Sequence, residues 1–270
     1  MEKTKIALVL SSGGARGVAH IGVIEELSRL GYEITSVAGC SMGAMIGAFY
    51  ATGNLSKGKD FLLSLRERKT MLRLADLAFN RKGLIKGKRI ITELEKIIPD
   101  TNIEDLSIPY IAIATNLIDG EEICFNRGNI VQAVRASISI PSIFEPILAD
   151  GKLLVDGGIS NPLPLDKVSR TEHDLLVGVV VSETDNSEKI ELANSKNKLG
   201  LYKQIRESQL ISINHLRNCI IDKYKPDILI KVPNKKYGIL QFKDVSEIIE
   251  NGIKATQTAI NQFTEMILKN

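Results

Sequence analysis

Val37-Ala38-Gly39-Cys40-Ser41-Met42-Gly43-Ala44-Met45-Ile46-Gly47 is the stretch around which the chain is organised. An apolar, β-prone run from Ile34 to Ala38 enters it, and the Ala/Met/Ile/Phe run from Ala44 to Ala51 leaves it as a helix. Between them stands Gly-x-Ser-x-Gly, the pattern of a nucleophile elbow, in which a sharp strand-to-helix turn holds the serine in a strained backbone conformation. The turn tolerates only very small neighbours, which accounts for Gly39 and Gly43 at its flanks. Ser41 is then expected to stand exposed at the N-terminus of the following helix, whose dipole favours developing negative charge. A tight packing turn that happens to contain serine has the same local pattern, so the rest of the chain must decide.

On the N-terminal side, Lys5–Leu10 (KIALVL) reads as a buried strand running into Ser11-Ser12-Gly13-Gly14-Ala15-Arg16-Gly17. Val18, Ile21, Ile24 and Leu27 then recur at helical spacing, with Gly31 as the stop. Strand, glycine loop, helix, strand, elbow and helix make a right-handed parallel βαβ opening. On the C-terminal side, residues 56–80 read as helical with broadly spread apolar groups and interleaved Arg66, Arg68, Lys69 and Arg73, a candidate lid or membrane-facing element. Further helices are expected over 88–98, 130–137, 199–224 and 245–269, and strands over 109–115, 122–125, 152–155, 175–181 and 227–232. The polar stretch 183–198 reads as a loop. With no repeat and no clear linker, the 270 residues read as one α/β domain with a largely parallel sheet.

Composition narrows the class. Hydrophobic residues make up 44% and charged residues 25%, ordinary for a globular chain with a sizeable core. No run approaches the roughly 18–20 uninterrupted apolar residues of a membrane span, and the opening MEKTKIALVLSSGG lacks a signal-peptide pattern. The odd, widely spaced Cys40, Cys124 and Cys219 match no metal-ligand spacing and read as reduced thiols. The expectation is a cytoplasmic protein without a metal. Net charge is +3, but Lys57 to Arg89 holds eleven Lys/Arg against Asp60, Glu67 and Asp76, a local +8 that leaves −5 for the remainder. Such a segment suits peripheral contact with anionic lipid at the inner face of a membrane, or is a solvated helix face.

Three features converge. The glycine loop opens a helix, so its backbone N–H groups can meet an anion. Ser41 follows the next strand of the same βαβ unit. Asp156 ends another strand and is followed by Gly157 and Gly158, which permit unusual dihedrals. All three are expected at the carboxyl edge of the sheet, where ligands of open α/β sheets gather. A nucleotide site fits poorly: Ser12 occupies the first glycine of G-x-G-x-x-G, and Gly83 to Arg89 is one residue short of a phosphate loop. No nucleic-acid partner is expected. Of the three histidines, His20 lies one turn inside a helix where a local hydrogen bond is its simplest role. His173 precedes a buried strand and His215 is mid-helix, so a two-residue Ser41/Asp156 site is simpler than a triad.

At this point the chain resembles the patatin-like phospholipase family, in its compact bacterial branch, and is similar to the catalytic domain of neuropathy target esterase. The resemblance runs from Leu8 to about Pro164. It rests on GGARGVAHIGV (13–23), GCSMGAM (39–45), GLIKGKRI (83–90), IPYIAIATNLIDGE (108–121), AVRASISIPSIFEP (133–146) and LLVDGGISNPLPL (153–165). It implies a three-layer α/β/α fold, a Ser/Asp dyad, lipid acyl-ester hydrolysis and no required metal or cofactor. Residue by residue, it implies Ser41 as nucleophile, Asp156 as base, and Gly13, Gly14, Ala15, Arg16 and Gly17 as the oxyanion loop, with a phospholipid or lysophospholipid as substrate. Two positions depart from the family pattern: Ser11 and Ser12 replace glycines usual at the start of the loop, and Cys40 stands where threonine is common. The alternative readings on the same scaffold are a lipid-binding or regulatory protein without turnover, and an acyltransferase.

Overall fold

A computed structural model of the chain describes residues 3–67, 69–70, 77–80, 83–181, 201–233 and 241–269. In chain order the opening elements are β1 (Lys5–Leu10), α1 (Ala19–Arg29), β2 (Glu33–Cys40), α2 (Met42–Ala51), α3 (Leu55–Ser64), β3 (Leu77–Asn80), β4 (Gly83–Ile85) and α4 (Lys88–Ile97). The middle of the chain supplies β5 (Tyr110–Asn116), β6 (Glu122–Phe125), α5 (Ile130–Ser137), β7 (Ile147–Ala149) and β8 (Lys152–Asp156). The elements β9 (Leu175–Val180), α6 (Leu201–Tyr224), β10 (Ile228–Lys231) and α7 (Val245–Lys269) complete it. Short 3-10 turns cover Gly14–Val18, Ile103–Asp105 and Gly157–Ile159.

Eight strands form one sheet in the order β10-β9-β1-β2-β5-β8-β7, with β6 also on β5. The first five in that order run parallel. Side-chain alternation along β1 builds the layers. Ile6, Leu8 and Leu10 join a core with Ile21, Ile24 and Leu27 of α1, Ile46 of α2 and Ile248 and Ile260 of α7. Ala7 and Val9 face the other way, onto Leu163, Leu165 and Val168, with Ile220, Ile221 and Tyr224 of α6 packed behind. Ile6 to Leu10 are inaccessible to solvent, as expected of a parallel strand covered on both faces. The mixed sheet with helices on both sides is the three-layer arrangement expected from the sequence.

The position of Asp156 follows from pairing along β5. Ala112 and Ile113 pair with both β2 and β6, so those two strands occupy opposite edges of β5. Ala114 and Thr115 pair with both β6 and β8, so β8 lies on the edge that β2 occupies. On that shared edge β2 ends at Cys40 opposite Ile113, and β8 ends at Asp156 opposite Ala114. The two strands meet C-terminus to C-terminus. Asp156 was expected at the carboxyl edge of a parallel sheet; it reaches Ser41 instead because an antiparallel strand abuts the parallel one.

Other sequence expectations shift. Within the stretch 56–80 expected as helix, α3 ends at Ser64 and residues 69–70 are again helical, residues 71–76 lie outside the described residues, and Leu77–Asn80 is a strand paired antiparallel with β4. Tertiary pairing decides the matter: Ile85 of β4 accepts from the Glu145 N–H, and its own N–H donates to the Ile143 carbonyl. Nor does α3 offer a free apolar face, since Leu62 and Leu65 are core residues and Phe61 and Leu63 pack against them. The polar stretch 183–198 lies outside the described residues, as do Arg68, Arg73, Arg81 and Lys82 of the basic segment. No helix among the described residues is long and apolar enough to cross a membrane.

Candidate active site

Ser41 occupies the corner between β2 and α2 with φ 54° and ψ −123°. A non-glycine residue there carries strain of about 1–3 kcal/mol, sustained only where the surroundings over-determine it. Close packing supplies that constraint. A Cβ on Gly43 would lie 2.3 Å from the Leu10 carbonyl oxygen, and one on Gly39 would lie 2.5 Å from the Gly43 carbonyl carbon. The first turn of α2 therefore crosses directly over the end of β1. Tyr110 fastens it from below, its hydroxyl donating to the Ala44 carbonyl at 2.8 Å. Ser41 is not exposed as the elbow pattern suggested: it is 2% accessible and lies on the floor of a cleft.

The Ser41 hydroxyl donates to Asp156 Oδ2 at 2.5 Å. The other carboxylate oxygen, Oδ1, accepts the Gly158 N–H at 2.8 Å, so the side chain caps the turn that follows β8. Gly157 is required by a close approach: its Cβ would fall 2.2 Å from the Ile113 carbonyl oxygen. Burial pushes the Asp156 carboxyl up from 3.8 to about 6, against the opposing hydrogen bonds from Ser41 and Gly158. Burial likewise raises the neighbouring Cys40 thiol well above its ordinary value, with the charge of Asp156 adding to it, so Cys40 is an unreactive neutral thiol.

The glycine loop borders the same cleft. Gly14 has φ 56°, a left-handed conformation that suits glycine, and a Cβ on Gly13 would strike Val181 at 2.3 Å. Neither Ser11 nor Ser12 has positive φ, so serine is tolerated where the family pattern has glycine. The Ser12 N–H donates to the Pro162 carbonyl at 3.0 Å, whereas Gly13, Gly14 and Ala15 precede the first i→i+3 bond of the 3-10 turn and so present N–H groups without intrahelical acceptors. Gly13, Gly14 and Arg16 line the cleft with Ser41, Asp156 and Gly158. Ala15 and Gly17 are buried behind them, Gly17 so close to Met42 that a Cβ would lie 2.6 Å from its side chain.

The histidines stand apart. His20 Nε2–H donates to the Ser11 carbonyl at 2.9 Å, and burial drives its pKa down to about 4, leaving it neutral. His173 is exposed beside Glu172, and His215 is exposed on α6. Among the described residues no cluster of three or more His, Cys, Asp or Glu could hold a metal ion.

Sequence reasoning missed three contributors. The Ser41 N–H donates to Ser137 Oγ at 2.8 Å, and the Ser137 hydroxyl donates to the Ile113 carbonyl at 2.6 Å. Arg135 is buried beside it and donates to the Lys86 carbonyl and to Ser139 Oγ. The third is α6, whose N-terminal half walls the cleft with Gln204, Ile205, Ser208 and Gln209 in the role expected of residues 56–80. The cleft encloses about 970 Å³, mostly against apolar atoms, and Leu117, Ile159 and Ile205 are 52%, 41% and 53% exposed along it.

Residues 8–168 match the family described as patatin-like phospholipase. An uncharacterized NTE family protein of Mycobacterium tuberculosis (strain H37Rv) is 42% identical over 181 residues, covering 67% of this chain and 50% of its own. A protein named Lysophospholipase NTE1 from Cryptococcus neoformans is 27% identical over 280 residues, covering 97% of this chain but 17% of its own length. The chain thus spans half of the mycobacterial relative and a smaller share of the fungal one. Among solved structures, VipD from Legionella pneumophila covers 97% of this chain and 67% of its own, at 15% identity and a TM-score of 0.49. Since the family match takes in well over half of its residues, the chain belongs to the patatin-like phospholipase family.

Proposed function

We propose that the chain is a serine acyl hydrolase that cleaves fatty-acyl esters of phospholipids or lysophospholipids. The observation that carries this reading is the Ser41–Asp156 hydrogen bond on the floor of an apolar cleft. In the proposed reaction Ser41 Oγ attacks the ester carbonyl while its proton passes to Asp156 Oδ2. The leaving alcohol recovers that proton, and an acyl-enzyme remains. Water, deprotonated by Asp156, then attacks the acyl carbonyl and releases the fatty acid and the Ser41 hydroxyl. A carboxylate with pKa about 6 supports this role, being a stronger base than an exposed aspartate yet still ionised at neutral pH. The oxyanion is assigned to the loop of Gly13, Gly14, Ala15, Arg16 and Gly17, in which the Gly13 and Gly14 N–H groups are the donors at the cleft; loss of one such donor costs about 2.7–4 kcal/mol of transition-state stabilisation. The Ser12 N–H, engaged by Pro162, is left out of that set.

The cleft volume falls within the range of small-molecule sites, and its apolar walls suit an acyl chain. The exposed Leu117, Ile159 and Ile205 at its mouth, with the basic Lys57–Arg89 segment, support peripheral contact with an anionic membrane. Cys40, Cys124 and Cys219 are all free thiols, in keeping with a cytoplasmic, reducing compartment. The test is release of fatty acid from lysophosphatidylcholine and from diacyl phosphatidylcholine by wild type, Ser41→Ala and Asp156→Ala. Each substitution should lower turnover by at least ~10³-fold in a folded protein. Turnover retained in either variant would remove that residue from the mechanism.

A further inference from the structure

We propose that Arg135–Ser139 is a clasp that sets the Ser41–Asp156 geometry, with the Ser137 hydroxyl as its positioning group; this rests on the acyl-hydrolase reading above. Both members of the pair hang by their backbone N–H groups from this one turn. The Ser41 N–H donates to Ser137 Oγ at 2.8 Å, and the Asp156 N–H donates to the Ser139 carbonyl at 2.9 Å. A two-residue separation within one rigid turn thereby fixes the ends of β2 and β8, which no covalent connection brings together.

The chemistry of Ser137 is specific to a hydroxyl. Its proton is committed to the Ile113 carbonyl at 2.6 Å, which turns a lone pair toward Ser41. A serine that merely closed α5 would bond back to the carbonyl four residues earlier in its own helix. Ser137 instead reaches across to β5, at the residue where β2 ends. It is wholly buried, so the Ser41 N–H has no water to replace it. The positive φ of Ser41 adds to the demand, because the elbow retains that conformation only while its surroundings hold it.

Arg135 braces the turn from behind. Its Nη1 donates to Ser139 Oγ at 2.5 Å, and its Nη2 to the Lys86 and Glu145 carbonyls at 2.8 and 3.2 Å. The Ser139 hydroxyl returns a bond to the Arg135 carbonyl at 2.8 Å. Gly87, at φ 78°, lies against the guanidinium: a Cβ there would sit 2.5 Å from Arg135 Nε. The clasp therefore ties the Lys86–Gly87 loop to both residues of the pair.

The test compares Ser137→Thr with Ser137→Val, which add the same bulk and differ in the hydroxyl alone. Three quantities are read: the rate at which a fluorophosphonate labels Ser41, kcat and KM on a lysophospholipid, and deuterium uptake at the Ser41 amide. The valine variant should be labelled roughly 10- to 100-fold more slowly than the threonine variant, with kcat reduced in proportion and KM held within about 2-fold. Its Ser41 amide should exchange faster. Should neither variant fold, Ser137→Ala against wild type gives the same contrast without added bulk. Equal labelling and equal exchange in the matched pair would overturn the clasp. A wild type that is never labelled would defeat the acyl-hydrolase reading instead, and the exchange contrast alone would then decide the clasp.

Discussion

Replacing Asp156 by asparagine should stabilise the protein while abolishing its activity. The Asp156 carboxyl has moved from 3.8 to about 6, with burial as the leading cause. Holding it ionised at pH 7 or above therefore costs the folded state roughly 3 kcal/mol relative to the unfolded chain. Asparagine is nearly isosteric, can accept the Gly158 N–H through its carbonyl oxygen, and can donate its amide to Ser41 Oγ. It carries no charge to desolvate. The sign follows from proton binding. Between the unfolded value of 3.8 and the folded value of about 6 the native state holds the extra proton, so the wild type loses stability as pH rises through that window. Above about pH 6 the deficit is complete; below 3.8 both states are protonated and it vanishes. Urea denaturation of both proteins at pH 8 and pH 4 should give Asp156→Asn an advantage of about 3 kcal/mol at the higher pH, shrinking toward zero at the lower. Near neutrality this corresponds to a Tm increase of roughly 6–12 °C by the size scaling of larger domains. An asparagine variant no more stable than wild type at pH 8, or an advantage independent of pH, would refute the assignment of a strained, buried carboxylate.

The same carboxyl should govern activity. Labelling of Ser41 by a fluorophosphonate should fall about tenfold per pH unit below about 6 and level off above it, since only the carboxylate accepts the serine proton; a flat profile from pH 4.5 to 8 would count against Asp156 as base. Gly43→Ala puts a methyl 2.3 Å from the Leu10 carbonyl oxygen, so it should cost roughly 1–3 kcal/mol in chemical denaturation and eliminate labelling; a variant as stable and reactive as wild type would show that the elbow is not close-packed. Binding to anionic vesicles, followed by co-sedimentation, should weaken as salt rises from 50 to 500 mM, roughly in step with a shortening Debye length; salt-independent or absent binding would return the Lys57–Arg89 charges to a solvated surface.

The parts legible in the sequence are those written in local patterns. KIALVL is apolar on both faces, so a doubly covered parallel strand follows from composition alone, and Gly39-x-Ser41-x-Gly43 specifies a turn that few other sequences can make. The chain's resemblance to its family was legible for the same reason, because the motifs are long and follow in order. What escaped depends on contacts far apart in sequence. Leu77–Asn80 has no period that distinguishes it from the helix before it, and its pairing with β4 decides its state. The short edge strand β7 has three residues and owes its existence to β8. Asp156 was read at the correct end of its strand, yet the strand runs opposite to expectation, because direction is set by pairing with β5 rather than by KLLVD itself. Ser137 lies 96 residues from Ser41, and nothing in AVRASISIP marks which serine will face the elbow. The polar face of α6 gave no sign that it would wall a cleft, since Gln204, Ser208 and Gln209 are also what a solvated helix would carry.

The proposed function turns on Ser41 being an activated nucleophile. Its most direct test is the intact mass of the protein after exposure to a fluorophosphonate, wild type beside Ser41→Ala and Asp156→Asn. An activated Ser41 should give a single adduct on wild type, none on Ser41→Ala, and none or a trace on Asp156→Asn although both variants are folded. A folded wild type that gains no adduct, or a Ser41→Ala variant that gains one, would contradict it.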